Sequence, residues 1–259
     1  MSVSELVLVT RRERVCEVRL NRPDKRNALT ANMYEALIAA FAEAEADDQI
    51  HVLLLSGEGA CFTGGNDLKD FLTVPEVIGS DHVISRFLRA LSEFEKILIA
   101  AVHGPTVGIG VTLLLHCDLV IAAARSTRLI TPFVQLGVVP EAASTLLLPR
   151  LIGHQRAAEM FFLGQPLEAQ TAREWGLVNR VVEDEALMEE ARALAANAAR
   201  QPPGAVRATK RLMRSCESAE VSALMQEELR VFAARLRSAE FAAAAQAFFG
   251  KSAGRSGGT

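Results

Sequence analysis

Three short runs, HVLLLSG at 51–57, ILIAAV at 97–102 and LVIAAA at 119–124, are apolar almost without interruption and read as buried strands. Between them the spacing changes to that of helices. Thr30 is placed to cap a helix whose apolar face carries Tyr34, Leu37, Ile38 and Phe41, and Val83, Phe87, Leu91 and Phe94 mark a second. The first twenty residues read as a hairpin: LVLV, the charged RRER, then VCEVRLN with period-two alternation at Cys16, Val18 and Leu20. Strands and helices thus alternate to about residue 130, which predicts an α/β layer fold. From Glu141 onward helices dominate, predicted around 142–152, 154–163, 168–175, 185–200, 204–216, 219–237 and 239–249 and punctuated by Gly153, Gly164, Gly176, Pro202 and Pro203.

Half of the 259 residues are hydrophobic, enough for a large core. Lys and Arg number 28 against 31 Asp and Glu, a formal charge of −3 without the basic footprint of a nucleic-acid binder. The four cysteines, at 16, 61, 117 and 216, form no C-x-x-C pair, so neither a zinc site nor a disulfide framework is expected. The start of the chain lacks the basic-then-apolar pattern of a secretory signal. The most apolar long segment, Val111 to Ala124, is broken by His116 and Asp118 and is too short to span a bilayer. These features lead to the expectation of a cytoplasmic chain with no membrane or nucleic-acid partner and no metal.

Two strand-to-helix turns could carry chemistry. GPTVGIG follows ILIAAV, and CFTGGNDL follows HVLLLSG. The GIG at 108–110 lacks the third glycine of a dinucleotide fingerprint, since position 113 is Leu. Glycines at a helix start instead leave main-chain N–H groups free, and two such turns meeting at one point would make an oxyanion hole. Two ordinary tight turns would look the same. A single acid, Glu141 in GVVPEAAS, stands in an uncharged stretch, where a carboxylate is costly to keep. An acid after proline also suits the positive end of a helix dipole, so its role stays open on the residues alone.

FTGGNDLKDF, AVHGPTVGIGVTLLLHCDLVIAA, TPFVQLGVVPEAASTLLLPRLIG and AAEMFFLGQPLEAQTAREWGLVNRVV resemble, in order, the crotonase (enoyl-CoA hydratase/isomerase) superfamily, and the likeness runs from NRPDKRNAL to AFFGK. It implies a crotonase-like spiral of β-β-α units over residues 1–185, holding the acyl-CoA site, then a helical trimerisation region over 186–259. It also implies a homotrimer or hexamer, for which Phe232, Phe241, Phe248 and Phe249 in the apolar helical region are the expected interface residues, and a coenzyme A thioester as substrate with no further cofactor. By matching, the main-chain N–H groups of Asn66 and Ile109 would hold the thioester oxygen. Gly64, Gly65, Asp67, Leu68, Gly108 and Phe133 would line the site, with Lys25, Arg26 and Ala28 along coenzyme A and Lys251 reaching it from a neighbouring subunit. Asp67 also suits a helix cap, and His103, His116 and Trp175 read as structural.

The hydratases of this superfamily use two glutamates, and the matching positions here are Thr112 and Phe133. Neither can exchange a proton near neutral pH. TPFVQLGVVPEAAS is similar instead to the segment carrying the single catalytic glutamate of peroxisomal-type 3-enoyl-CoA to 2-enoyl-CoA isomerases, which makes Glu141 the expected proton shuttle. The alternatives are a hydratase or another thioester reaction of the superfamily, and a silent acyl-CoA binder.

Overall fold

The computed structural model describes the backbone of residues 3–71 and 78–254, and the side chains of 5–70 and 78–247. Among the described residues nine strands form two sheets: β1 (Val7–Arg12), β2 (Val15–Leu20), β3 (Val52–Gly57), β4 (Ile97–Val102), β5 (Pro105–Val107), β6 (Leu119–Ala123), β7 (Arg128–Ile130), β8 (Leu167–Glu168) and β9 (Arg180–Val182). The larger sheet runs β1-β2-β3-β4-β6-β9, antiparallel between β1 and β2 and parallel thereafter. A smaller sheet, β5-β7-β8, branches off just after β4.

The apolar runs are explained by cover on both faces, as parallel sheets require. Leu53, Leu55, Leu98, Ala100, Val120 and Ala122 point into the main core, where they meet Leu37, Phe41, Phe87 and Leu91 of the helices Ala31–Ala46 and Val83–Glu93. Their neighbours Val52, Leu54, Ile99, Ala101, Ile121 and Ala123 point the other way, under the helix Leu187–Ala199. Full burial of such side chains stabilises by about 1.5–3 kcal/mol each for the larger ones.

That second cover changes the hairpin. Alternation at Cys16, Val18 and Leu20 predicts one buried face on β2, yet Val15 and Glu17 on the other face are buried too. The helix Leu187–Ala199 carries Arg192, whose Nε and Nη2 donate to the two Glu17 oxygens at 2.9 and 3.1 Å. A buried acid facing a bidentate arginine is satisfied.

The helix-rich half follows the predicted pattern closely, with helices at Ser144–Ile152, Ala169–Trp175, Leu187–Ala199, Pro203–Arg214, Ser218–Arg235 and Ala239–Gly254. The segment predicted at 154–163 begins as His154–Ala158 and widens into a π turn over Glu159–Leu163 before Gly164 ends it. The segment predicted from residue 142 starts at Ser144, because Ala142 and Ala143 adopt left-handed φ of 65° and 54°. Trp175 packs on the main core with Arg156 over its ring at 5.2 Å. Among the described residues, no helix is long and apolar enough to cross a membrane.

Candidate active site

The two glycine turns touch. Val107 N–H donates to the Thr63 carbonyl at 3.0 Å, and Thr63 and Thr106 form an isolated bridge. Gly65 sits at φ +89°, and a Cβ there would lie 2.9 Å from the Val107 carbonyl oxygen, so only glycine lets the turns come this close. The Thr63 hydroxyl donates to the Asn27 carbonyl at 2.7 Å and accepts from Gly65 N–H at 3.1 Å. Leu29 N–H then donates to the Gly65 carbonyl and Asp67 N–H to the Leu29 carbonyl, a ladder that passes over the Asn66 N–H.

The second turn is pinned in the same manner. Gly108, at φ +56°, donates its N–H to the Ile130 carbonyl and accepts from Val111 and Thr112 N–H. Ile109 opens the helix Ile109–Thr112, so its N–H belongs to the first turn that finds no intrahelical acceptor.

A cavity of about 590 Å³ lies against both turns. Every candidate site residue that the sequence singles out within the described region lines it: Lys25, Arg26, Ala28, Gly64, Gly65, Asn66, Asp67, Leu68, Gly108, Ile109, Phe133 and Glu141. Lys251, together with Phe248 and Phe249, lies outside the residues whose side chains are described. Lys25, Arg26 and Lys69 are exposed and give the cavity a cationic rim, whereas Glu141 is 2% exposed.

Glu141 is the buried carboxylate of the lining. Burial pushes its acid up to about 8, against a Thr112 hydroxyl that donates to Oε1 at 2.7 Å and pulls it down, with Glu228 adding a smaller upward push. The hydroxyl at the position of one missing hydratase glutamate is therefore the partner of the acid that remains. Phe133, at the other, packs edge-on to Phe161 with ring centres 6.3 Å apart. It gives the cavity an apolar wall.

Asp67 faces the cavity but is engaged in structure. Burial pushes its carboxyl up, yet the Arg22 guanidinium (Nη1 to Oδ2, 2.7 Å) and the Lys69 N–H (to Oδ1, 3.1 Å) together hold it below the usual range. It thus caps the short helix Leu68–Phe71. His116 is buried, its imidazole held down at about 4 by burial, so it is neutral near pH 7 and Nε2–H donates to the Ala142 carbonyl at 2.8 Å. His103 bonds the Gly59 carbonyl at 2.9 Å.

Four residues carry parts of the site that sequence patterns do not announce. Arg22 ties the RPDKRNAL loop to Asp67 and to the Ala28 carbonyl. Asn27, fully buried, donates to the carbonyls of Glu58, Cys61 and Phe62 and accepts from Arg22 N–H. The Tyr34 hydroxyl donates to Asn66 Oδ1. Its pKa is pushed well above the ordinary value by burial and by the Glu141 and Asp70 carboxylates, which keeps it a donor. Phe232, whose position near the C-terminus suggests a subunit contact, is instead 3% exposed and lines the cavity from the helix Ser218–Arg235. Phe241 is likewise buried within the chain, because its helix folds back over the segment at Gly137.

With this geometry in view, the comparisons with known proteins are specific. Residues 10–255 match the family model described as enoyl-CoA hydratase/isomerase. Enoyl-CoA delta isomerase 2 of Rattus norvegicus is 36% identical over 242 residues, 92% of this chain but only 61% of its own length. The chain thus spans about three fifths of that relative. The 1,2-epoxyphenylacetyl-CoA isomerase of Escherichia coli K12 is 35% identical over 253 residues, covering 95% of this chain and 96% of the relative. Among solved structures, OdaA of Pseudomonas aeruginosa superposes with a TM-score of 0.91 at 46% identity, over 95% of this chain and 99% of that one. The fold is that of the crotonase enzymes, and the chain belongs to the enoyl-CoA hydratase/isomerase family.

Proposed function

We propose that the protein shifts the double bond of a 3-enoyl-CoA to the 2-enoyl position through a thioester enolate. The observation that carries this reading is one buried carboxylate, Glu141, in a cavity where Thr112 and Phe133 stand at the positions of the hydratase glutamates. Glu141 removes a proton from C2, and the electron pair moves into the thioester carbonyl to give a dienolate. The N–H groups of Asn66 and Ile109 stabilise the oxyanion. The protonated Glu141 then returns its proton to C4, the thioester carbonyl re-forms, and the double bond lies between C2 and C3. One acid does both transfers, so no water is activated. The rim of Lys25, Arg26 and Lys69 suits the phosphates of coenzyme A, and the apolar walls Phe133, Leu136, Val138 and Phe232 suit the acyl group.

A second reading keeps the same acid and changes the acyl group. The E. coli relative that matches end to end is named for an epoxyphenylacetyl thioester, and a ring-bearing substrate would use the same enolate chemistry.

The deciding experiment offers a 3-enoyl-CoA and, separately, a 2-enoyl-CoA, and follows the absorbance of the conjugated thioester. Isomerisation raises it with the first substrate and scarcely lowers it with the second. Glu141→Gln should abolish turnover by at least ~10²-fold with coenzyme A affinity retained. Rapid hydration of the 2-enoyl-CoA would overturn the single-acid mechanism, and binding without turnover of either substrate would favour a silent binder.

A further inference from the structure

The helix Ser144–Ile152 begins without a cap of its own. Its N-cap residue is Ala143, which has no side-chain oxygen to accept the first N–H groups. Ala142 and Ala143 also hold left-handed φ of 65° and 54°, a region that side chains other than glycine enter only under constraint. Two consecutive alanines directly after Glu141 must be kept there by something outside the segment.

The structure supplies it from 85 residues further along the chain. Glu228, on the helix Ser218–Arg235 and 5% exposed, accepts the Ala143 N–H on Oε2 at 2.6 Å. Its Oε1 accepts the Thr145 N–H at 3.0 Å and the Thr145 hydroxyl at 2.6 Å. Both oxygens only accept, the pattern of an ionised carboxylate at the positive end of a helix. From the opposite side His116 donates to the Ala142 carbonyl at 2.8 Å. The helix-start acid that sequence alone offers as a role for Glu141 is thus Glu228, which leaves Glu141 free to face the cavity.

We propose that Glu228 is a positioning residue for Glu141: it caps the helix Ser144–Ile152 from across the fold, locks Ala142 and Ala143 in the left-handed region, and so fixes the Glu141 carboxylate between Thr112 and the two glycine turns. The functional half rests on Glu141 being the proton shuttle proposed above; the geometric half does not. Rotation at Ala142 or Ala143 would re-aim the adjoining Glu141, and misplacement of a reacting group by about 1 Å can cost ~10²-fold in rate.

The test combines Glu228→Ala, Glu228→Gln and Ala143→Gly. Glu228→Ala should lower kcat by roughly 10- to 100-fold with KM within about threefold of wild type. Glu228→Gln keeps one acceptor oxygen where the carboxylate has two, so it should fall between. Ala143→Gly adopts the left-handed turn without constraint, and combining it with Glu228→Ala or Glu228→Gln should recover much of the lost kcat. A residue that merely stabilised the helix would lower Tm while kcat per folded molecule stayed at the wild-type value, and that result overturns the proposal. So does a kcat loss that glycine at 143 does not relieve. If Glu228→Ala does not fold, the glutamine variant with and without Ala143→Gly carries the same comparison. Crystal structures of wild type and Glu228→Gln separate the two halves: should wild type not isomerise at all, a variant with Glu141 still on Thr112 and both alanines still left-handed refutes the clamp whatever the reaction is.

Discussion

Between pH 4.5 and about 8 the folded chain keeps a proton on Glu141 that the unfolded chain has released. Folded pKa above unfolded pKa means that this stability is fully present below about 4.5 and is lost as pH rises to about 8, at ~1.4 kcal/mol per unit. Glu141→Gln should therefore match wild type near pH 5 and exceed it by on the order of 2 kcal/mol or more at pH 9, measured by urea unfolding. In the proposed reaction the same proton affinity sets the pH profile: kcat/KM should climb with pH and level off above about 8, as the base form fills. Tyr34→Phe and Asn66→Ala remove one hydrogen bond from its two ends. Each should cost about 1 kcal/mol in stability and a few-fold in kcat, since the proposed oxyanion donors are main-chain. A loss of ~10²–10³ in either would move that function to a side chain. Glu141 stood out as a lone acid in an apolar stretch, but on the residues alone a helix start would use it equally well, and it was the resemblance of its segment that pointed to the site. Tyr34 was not legible, because its ring satisfies the apolar helix face on which it was noticed and says nothing of where its hydroxyl goes. Thr112 entered only as a missing glutamate; its contact with Glu141 depends on a fold that joins residues 29 positions apart.

At the scale of elements, the RPDKRNAL loop drew notice for its cations, yet what shapes it is Asn27. Left-handed φ at Arg26 and Asn27 turns the loop back, and the Asn27 amide fastens it to the 58–62 turn. Asn27→Ala should destabilise by about 2–3 kcal/mol, since carbonyls facing it lose their donor. It should also raise KM for the acyl-CoA several-fold while kcat changes little, as steady-state kinetics would show. The long buried strands were legible as nearly unbroken apolar runs, and the C-terminal helices as long stretches bounded by glycine and proline. β5, β7 and β8 were not, being two or three residues long and too short for any period to register. They are what sets the Gly108 turn in place, through Ile130.

For the whole molecule, burial of Phe232 and Phe241 inside the protomer shifts attention to other apolar surface. Val134, Phe162 and Leu163 are 49–64% exposed on two adjoining segments, where Gln135 bonds the Phe162 carbonyl, and large exposed apolar side chains in one region mark contact surfaces. The expected trimer or hexamer should therefore form through this region. Light scattering at micromolar concentration should show it, and Phe162→Glu with Leu163→Glu should shift the protein toward monomer. A monomeric wild type would remove the expectation. Where such a surface lies is not legible in a sequence, because the same leucines and phenylalanines could equally have filled the core.

The dependence of the Glu141 turn on Glu228, and of the cavity wall on Phe232, has a consequence for how the protein is made. A ribosome delivers the sheet, both glycine turns and Glu141 itself well before the helix Ser218–Arg235 emerges. Until then the acid is unlocked, the cavity wall is open, and the main core lacks Met225, Leu229 and Phe232. Competence for the proposed enolate chemistry thus arrives late in synthesis, with the last helices, and a chain released before residue 218 should be idle rather than a weak enzyme.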